Sequence, residues 1–274
     1  MIRLFILWIF SISFLFGTNT LSSYYYKSKS DIYKDININE FYMALDLFKE
    51  LLENKNLSAK SQKSLLLLNL EIIDLENNIY IIKDKKNSGR GFYLINYDPM
   101  SKNMISIPHR FFDEYTGNIG LKMFEESSFK AIAFNSVHRK IEDMAHSDIT
   151  IFNAFHLAFS KIYSQDMIYQ LHGFNNDKRD SDIAKNKAEI ILSNTTKYPD
   201  KQVTEITLCL KEKAINSFLY GKDIFELGGT LNAQAKLLKE NNSHNFIHIE
   251  INESTRELLN KDIKTRNKIL GCLK

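Results

Sequence analysis

Cysteine, proline, glycine and tryptophan are scarce in this chain, with two, three, ten and one respectively among 274 residues. Two cysteines, Cys209 and Cys272, rule out a disulfide-dense scaffold and a zinc knuckle of four thiolates. An oxidising compartment would allow them to pair, although Cys209 sits in the apolar run ITLCL and reads first as a small buried hydrophobe. Prolines interrupt the backbone only at Pro99, Pro108 and Pro199. The net charge of +3 comes from scattered lysines, without the arginine cluster or basic stripe that could follow a phosphate backbone, so nucleic acid is not an expected partner. There is no GxSxG elbow and neither cysteine has a convincing histidine partner, which disfavours covalent hydrolysis. The pair Gly228-Gly229 in ELGGTLNAQAK lacks the strand and third glycine of a dinucleotide loop. Asn232 and Gln234 in that stretch are candidates to face a substrate.

What remains is an ordinary globular composition, 44% hydrophobic and 25% charged, long enough for one main domain with a small appendage. Arg3 precedes an apolar run from Leu4 to Phe16 broken only by Ser11 and Ser13, and Gly17, Thr18, Thr20, Ser22 and Ser23 follow. That run is short for a membrane span of roughly 20 residues, so residues 1–23 read as a secretion signal, either cleaved or kept as an anchor through residues 4–16. A buried N-terminal helix is the competing reading. The expected location is periplasmic or secreted.

Residues 24–78 are expected to be helical. Phe41, Ala44, Leu45, Phe48, Leu51 and Leu52 recur at helical spacing, and a second helix is expected from about Ala59 to Leu75, giving a helical hairpin ahead of the main domain. From residue 79 to 274 the period changes. NIYII, GFYLINY and NMISI are short β-branched and aromatic runs separated by KDKKNSGRG and DPMSK, and read as strands. Strand-like KAIAFNSV, a helix from Asp148 to Tyr163, MIYQLHGF, AEIILS, a helix around 200–213, FIHIEI and a helix over 254–269 follow. The fold class is therefore α/β, a mixed sheet flanked by helices. MIYQL, apolar on both faces except at Gln170, suits the centre of that sheet.

Reactive side chains in such folds gather where strands end. Pro108 stops the strand NMISI, and His109 and Glu114 follow. Five positions apart on a continuous helix they would diverge by about 140°, so a loop through RFFD is needed to bring them together as two zinc ligands. His172 ends the strand MIYQLHGF, with Gly173 free to turn after it, and supplies a third ligand. Two histidines and a glutamate form an established catalytic zinc set with one position open to water. Glu250, in the otherwise apolar strand FIHIEI, is costly there unless functional or paired, and is the expected general base.

These segments resemble the zinc carboxypeptidase-like fold, also described as phosphorylase/hydrolase-like, and within it the phage poly-gamma-glutamate hydrolases and related bacterial zinc amidohydrolases. PHRFFDE resembles that family's first metal segment, QLHG the strand with the second metal histidine, and FIHIEINESTREL the strand with the catalytic glutamate. The likeness covers roughly residues 90 to 260. Carboxypeptidases of the A type space the first two ligands more closely, and this chain has no adjacent Asn-Arg pair in the matching region, so C-terminal exopeptidase specificity is not implied. The resemblance also implies that Arg139 of NSVHR meets the oxyanion or a substrate carboxylate, with Arg110, Arg179 and Arg256 as competitors.

Each residue has a plainer reading. His109 would be a surface loop residue, His172 a satisfied core histidine, and Glu250 an ion-pair partner of Lys236 or Arg256. His248 and His138 are second choices for function, while His146 and His156 are expected only to shape the surroundings. Together the residues predict an exported Zn2+-dependent amide hydrolase acting on peptides, peptidoglycan stem peptides or gamma-linked glutamyl chains. The alternative is an envelope binding protein that keeps the fold without turnover.

Overall fold

The computed structural model describes residues 21–75 and 78–273. The expected signal over residues 1–23 therefore lies almost wholly outside the described residues. No helix among the described residues is long and apolar enough to cross a membrane.

Helix α1, Ile38–Glu53, begins at a capping box: the Asn37 side chain accepts from the Asn39 and Glu40 amides, and the Glu40 carboxylate accepts from the Asn37 amide. It buries the predicted stripe of Phe41, Ala44, Leu45, Phe48, Leu51 and Leu52. Helix α2 spans only Ala59–Leu67. The expected continuation to Leu75 does not form, because Asn69 adopts a left-handed conformation (φ 53°) that ends the helix. LEIIDL, with its paired β-branched isoleucines, becomes strand β1, Leu70–Leu75, antiparallel to β2, Ile79–Asp84.

The remaining strands are β3 (Phe92–Asn96), β4 (Ser101–Ile107), β5 (Phe129–Phe134), β6 (Ile168–Phe174), β7 (Ile190–Ser193), β8 (Ser217–Leu219) and β9 (Phe246–Asn252). They form one mixed sheet in the order β1-β2-β3-β5-β4-β6-β9-β7-β8. Its centre is parallel, with β4 beside β5 and β6, and β6 beside β9. The MIYQL segment thus lies centrally, as its two-faced apolar character requires.

Helices cover both faces. On one face α1 packs with α4 (Ile151–Ile162) and α7 (Ala233–Glu240), Phe48 meeting Phe155 edge-on at 4.9 Å. The other carries α3 (Thr116–Ser127), α6 (Lys201–Glu212), α8 (Glu253–Lys261) and α9 (Ile263–Leu270). A short α5, Asp182–Asn186, lies between β6 and β7. The helix expected over 254–269 divides because Asp262 is extended and its carboxylate caps α9 by accepting from the Lys264 and Thr265 amides. Cys209 of α6 and Cys272 after α9 form a disulfide, their Cα atoms 5.7 Å apart.

Alternation along β6 and β9 sorts chemistry from packing. Tyr169, Leu171, Ile247, Ile249 and Ile251 join the core beneath α3, α6, α8 and α9. Gln170, His172, His248 and Glu250 project to the other face, at the carboxyl ends of the parallel strands.

Candidate metal centre

After Pro108 the chain curls into one helical turn: the Phe112 and Asp113 amides both donate to the His109 carbonyl, at 2.8 and 2.9 Å. Side chains four apart on such a turn share a face, while those five apart diverge. The carboxylate brought to His109 is consequently that of Asp113. Glu114, expected as the ligand, is exposed, and its carbonyl accepts from Arg256 Nε at 2.8 Å. The loop required to swing Glu114 inward does not form.

Asp113 Oδ2 lies 3.3 Å from His109 Nδ1 and 3.6 Å from His172 Nδ1, and accepts from the Gly173 amide at 3.0 Å. All three side chains are buried, and one ligand atom from each lies within 4.8 Å of the others. The far nitrogen of each ring is also engaged. His109 Nε2 is 2.8 Å from Asp143 Oδ1, and His172 Nε2 is 2.8 Å from Gln170 Oε1. His172 Nε2, facing the Gln170 amide oxygen, is a donor and leaves its Nδ1 toward the Asp113 carboxylate, whereas His109 faces a carboxylate oxygen with each ring nitrogen, Asp113 at Nδ1 and Asp143 at Nε2. A buried carboxylate set between two imidazole nitrogens in this way requires a cation or a proton among them.

The electrostatics follow from this crowding. Burial, with the neighbouring His248, pushes His172 down to about 4. Burial also opposes charge on His109, but its hydrogen bonds to Asp113 and Asp143 prevail and hold it above its ordinary value. Burial would raise Asp113, yet His109 and His172 keep its carboxyl well below the usual range. Asp143 is likewise depressed, burial being outweighed by His109 and Arg139.

The donor set fits zinc. Two imidazoles and one carboxylate leave an open position, and bonds of about 2.0–2.1 Å in a tetrahedron place donors roughly 3.3–3.4 Å apart. Asp113 stands at that separation from His109 and slightly farther from His172. Asp143 and Gln170 then hold the outer nitrogens of the two ligand rings, as metal-binding histidines usually require.

Glu250 is paired in register with His172 across the β6–β9 ladder. Its Oε1 lies 3.1 Å from His248 Nε2, whereas its Oε2 and His248 Nδ1 are buried without hydrogen-bond partners among the described residues. Glu250 does not pair with Lys236 or Arg256, whose guanidinium donates instead to the carbonyls of Glu114, Phe174 and Ile251. A cleft of ≈ 280 Å³ is lined by His109, Arg139, His146, His172, Leu231 and Glu250, among others. Arg139 Nε donates to Asp143 Oδ2 at 2.8 Å, and His146 Nδ1 lies 3.1 Å from that same oxygen. Arg110 turns away from the cleft, stacked between Tyr25 and Phe111 at 3.6 and 4.5 Å.

No protein-family model and no curated protein matches the chain. Among solved structures it is similar to an aspartoacylase family protein from Mesorhizobium loti (TM-score 0.40, 14% identity, 74% of this chain and 70% of the other). It is also similar to two proteins from Shewanella denitrificans. One is provisionally assigned as carboxypeptidase A (TM-score 0.40, 10% identity, 78% and 68% covered), the other as a metallopeptidase (0.36, 9%, 86% and 89%). At these TM-scores and identities the likeness decides nothing about this chain.

Expectation and structure differ on the supporting residues. Asp113 carried a signal in its spacing of four from His109. Asp143 and His248 reach the cluster through tertiary contacts. Gln234, expected to face substrate, is fully buried, and Asn232, at the cleft wall, points its amide at Gln170. His156 is buried between the Phe152 carbonyl and Ser106 Oγ, away from the ligands.

Proposed function

We propose that this chain is a zinc-dependent hydrolase of amide bonds, with the ion held by His109, Asp113 and His172. The observation that carries the reading is the convergence of two imidazole nitrogens and one carboxylate oxygen in a buried place, beside the Glu250 carboxylate. When bound, the metal would lower the pKa of a water molecule and polarise the amide carbonyl. Glu250 Oε2 takes the proton from the attacking water and returns it to the leaving nitrogen, while His248 holds Oε1. Arg139, anchored by Asp143 at the cleft wall, presents its guanidinium to the developing oxyanion. The substrates proposed are peptides, peptidoglycan stem peptides or gamma-linked glutamyl chains.

Export through residues 1–23 belongs to the same proposal, and a disulfide between Cys209 and Cys272 is the chemistry of an oxidising compartment. The test is metal content together with turnover. Protein expressed with zinc supplied should hold about one equivalent and hydrolyse members of a panel of peptide and gamma-glutamyl amides. A content under about a tenth of an equivalent would end the metalloenzyme reading, and full zinc without turnover on any amide would leave a binding protein.

A further inference from the structure

We infer that Gln170 is a positioning residue, locked by Gln234, Asn232 and Ser106 so that only its amide oxygen can face His172, which fixes the ring with its proton on Nε2 and its lone pair on Nδ1. The purpose of this lock rests on the metal reading above; its geometry does not. Three main-chain or chain-anchored contacts set it independently.

The first begins at Met144. Gln234 Nε2 lies 2.6 Å from the Met144 carbonyl and 2.6 Å from Asn153 Oδ1. A carbonyl only accepts, so that end of Gln234 is its NH2, and its Oε1 turns to Gln170 Nε2 at 3.0 Å. The second begins at Ala235, whose amide donates to Asn232 Oδ1 at 3.0 Å in the cap of α7. An amide N–H only donates, so Asn232 directs its NH2 at Gln170 Oε1, 2.5 Å away.

The third begins at the Phe152 carbonyl, 2.7 Å from His156 Nδ1. That nitrogen carries the proton, so the Ser106 hydroxyl donates to His156 Nε2 at 2.7 Å and its oxygen is left to accept from Gln170 Nε2 at 3.0 Å. All three place the Gln170 nitrogen away from His172 and its oxygen toward it. Reversing Gln170 would set NH2 against NH2 at Asn232 and oxygen against oxygen at Gln234. Gln170 and Gln234 are fully buried and Asn232 nearly so, leaving no water to absorb the mismatch. His172 Nε2, 2.8 Å from that oxygen, must carry the hydrogen.

The experiment is ¹⁵N NMR of the histidine rings in the metal-free full chain, paired with zinc affinity measured by chelator competition. Wild-type His172 is expected as a single Nε2–H tautomer. Gln170→Met should mix the tautomers and weaken zinc binding about 10–100-fold, the usual effect of losing an outer partner. Asn232→Ser, which keeps the cap acceptor but cannot reach Gln170, is a milder variant should Gln170→Met not fold, and should also weaken binding. Nδ1–H or mixed tautomers in the wild type, or unchanged zinc affinity in a folded Gln170→Met, would overturn the inference. A single Nε2–H tautomer in a wild type that binds no zinc would uphold the lock and overturn the metal reading instead.

Discussion

Glu250 lies opposite His172 in the parallel ladder of β6 and β9, so the two side chains rise side by side from the same face of the sheet. The pairing needs no flexible loop. A carboxylate and a histidine on adjacent central strands are held by backbone hydrogen bonds, the most rigid support the fold offers.

That placement makes Glu250 separable from the metal. Glu250→Gln should lower kcat by about 10²–10⁴-fold while zinc content stays at the wild-type level, since the role lost is proton transfer. Steady-state kinetics and metal analysis on the same preparation check it. Loss of zinc along with activity would make Glu250 a ligand.

His156 gives the chain a specific acid sensitivity. It is fully buried, and burial pushes it down to about 4. The fold therefore prefers the neutral ring. The stability this contributes is complete above the ordinary value near 6.5, and is lost as pH falls from there toward 4. Over that window the loss amounts to about 3 kcal/mol, at roughly 1.4 kcal/mol per pKa unit. His172 titrates in the same direction, so the readout is a difference. The stability advantage of wild type over His156→Gln in urea should shrink by about 3 kcal/mol between pH 7 and pH 4. A constant difference would contradict it.

The Cys209–Cys272 bond closes a loop of 63 residues, which in the chain-entropy account contributes about 4 kcal/mol. Reduction, or Cys272→Ser, should lower Tm by roughly 10 °C in a chain of this size. Zinc content at room temperature should not change, because the disulfide lies beneath the opposite face of the sheet. Equal melting with and without reductant would show that the bond does not form.

Much of the architecture was legible because it depends on local pattern. GFYLINY, KAIAFNSV, MIYQLHGF and FIHIEI carry the β-branched and aromatic density of strands, and His172 and Glu250 stand out as polar residues near the ends of apolar runs. The misread places are those where distant parts decide. LEIIDL continues a leucine-rich helix by composition, yet pairs with β2 once Asn69 breaks away. Glu114 depended on whether RFFD looped or curled, and the bonds to the His109 carbonyl curl it, bringing Asp113 inward. The amide lock joins residues more than 60 positions apart, Gln170 to Asn232 and Gln234, and no spacing in the chain announces it.

The exchange of Glu114 for Asp113 also provides the most direct test of the metal centre. Zinc stoichiometry and affinity should be measured for Asp113→Ala and Glu114→Ala beside the wild type. Glu114→Ala, at an exposed position, should keep wild-type binding and lie within about 0.5 kcal/mol of wild-type stability. Asp113→Ala should lose zinc. Retention of zinc by Asp113→Ala, or its loss from Glu114→Ala, would contradict a centre built on His109, Asp113 and His172.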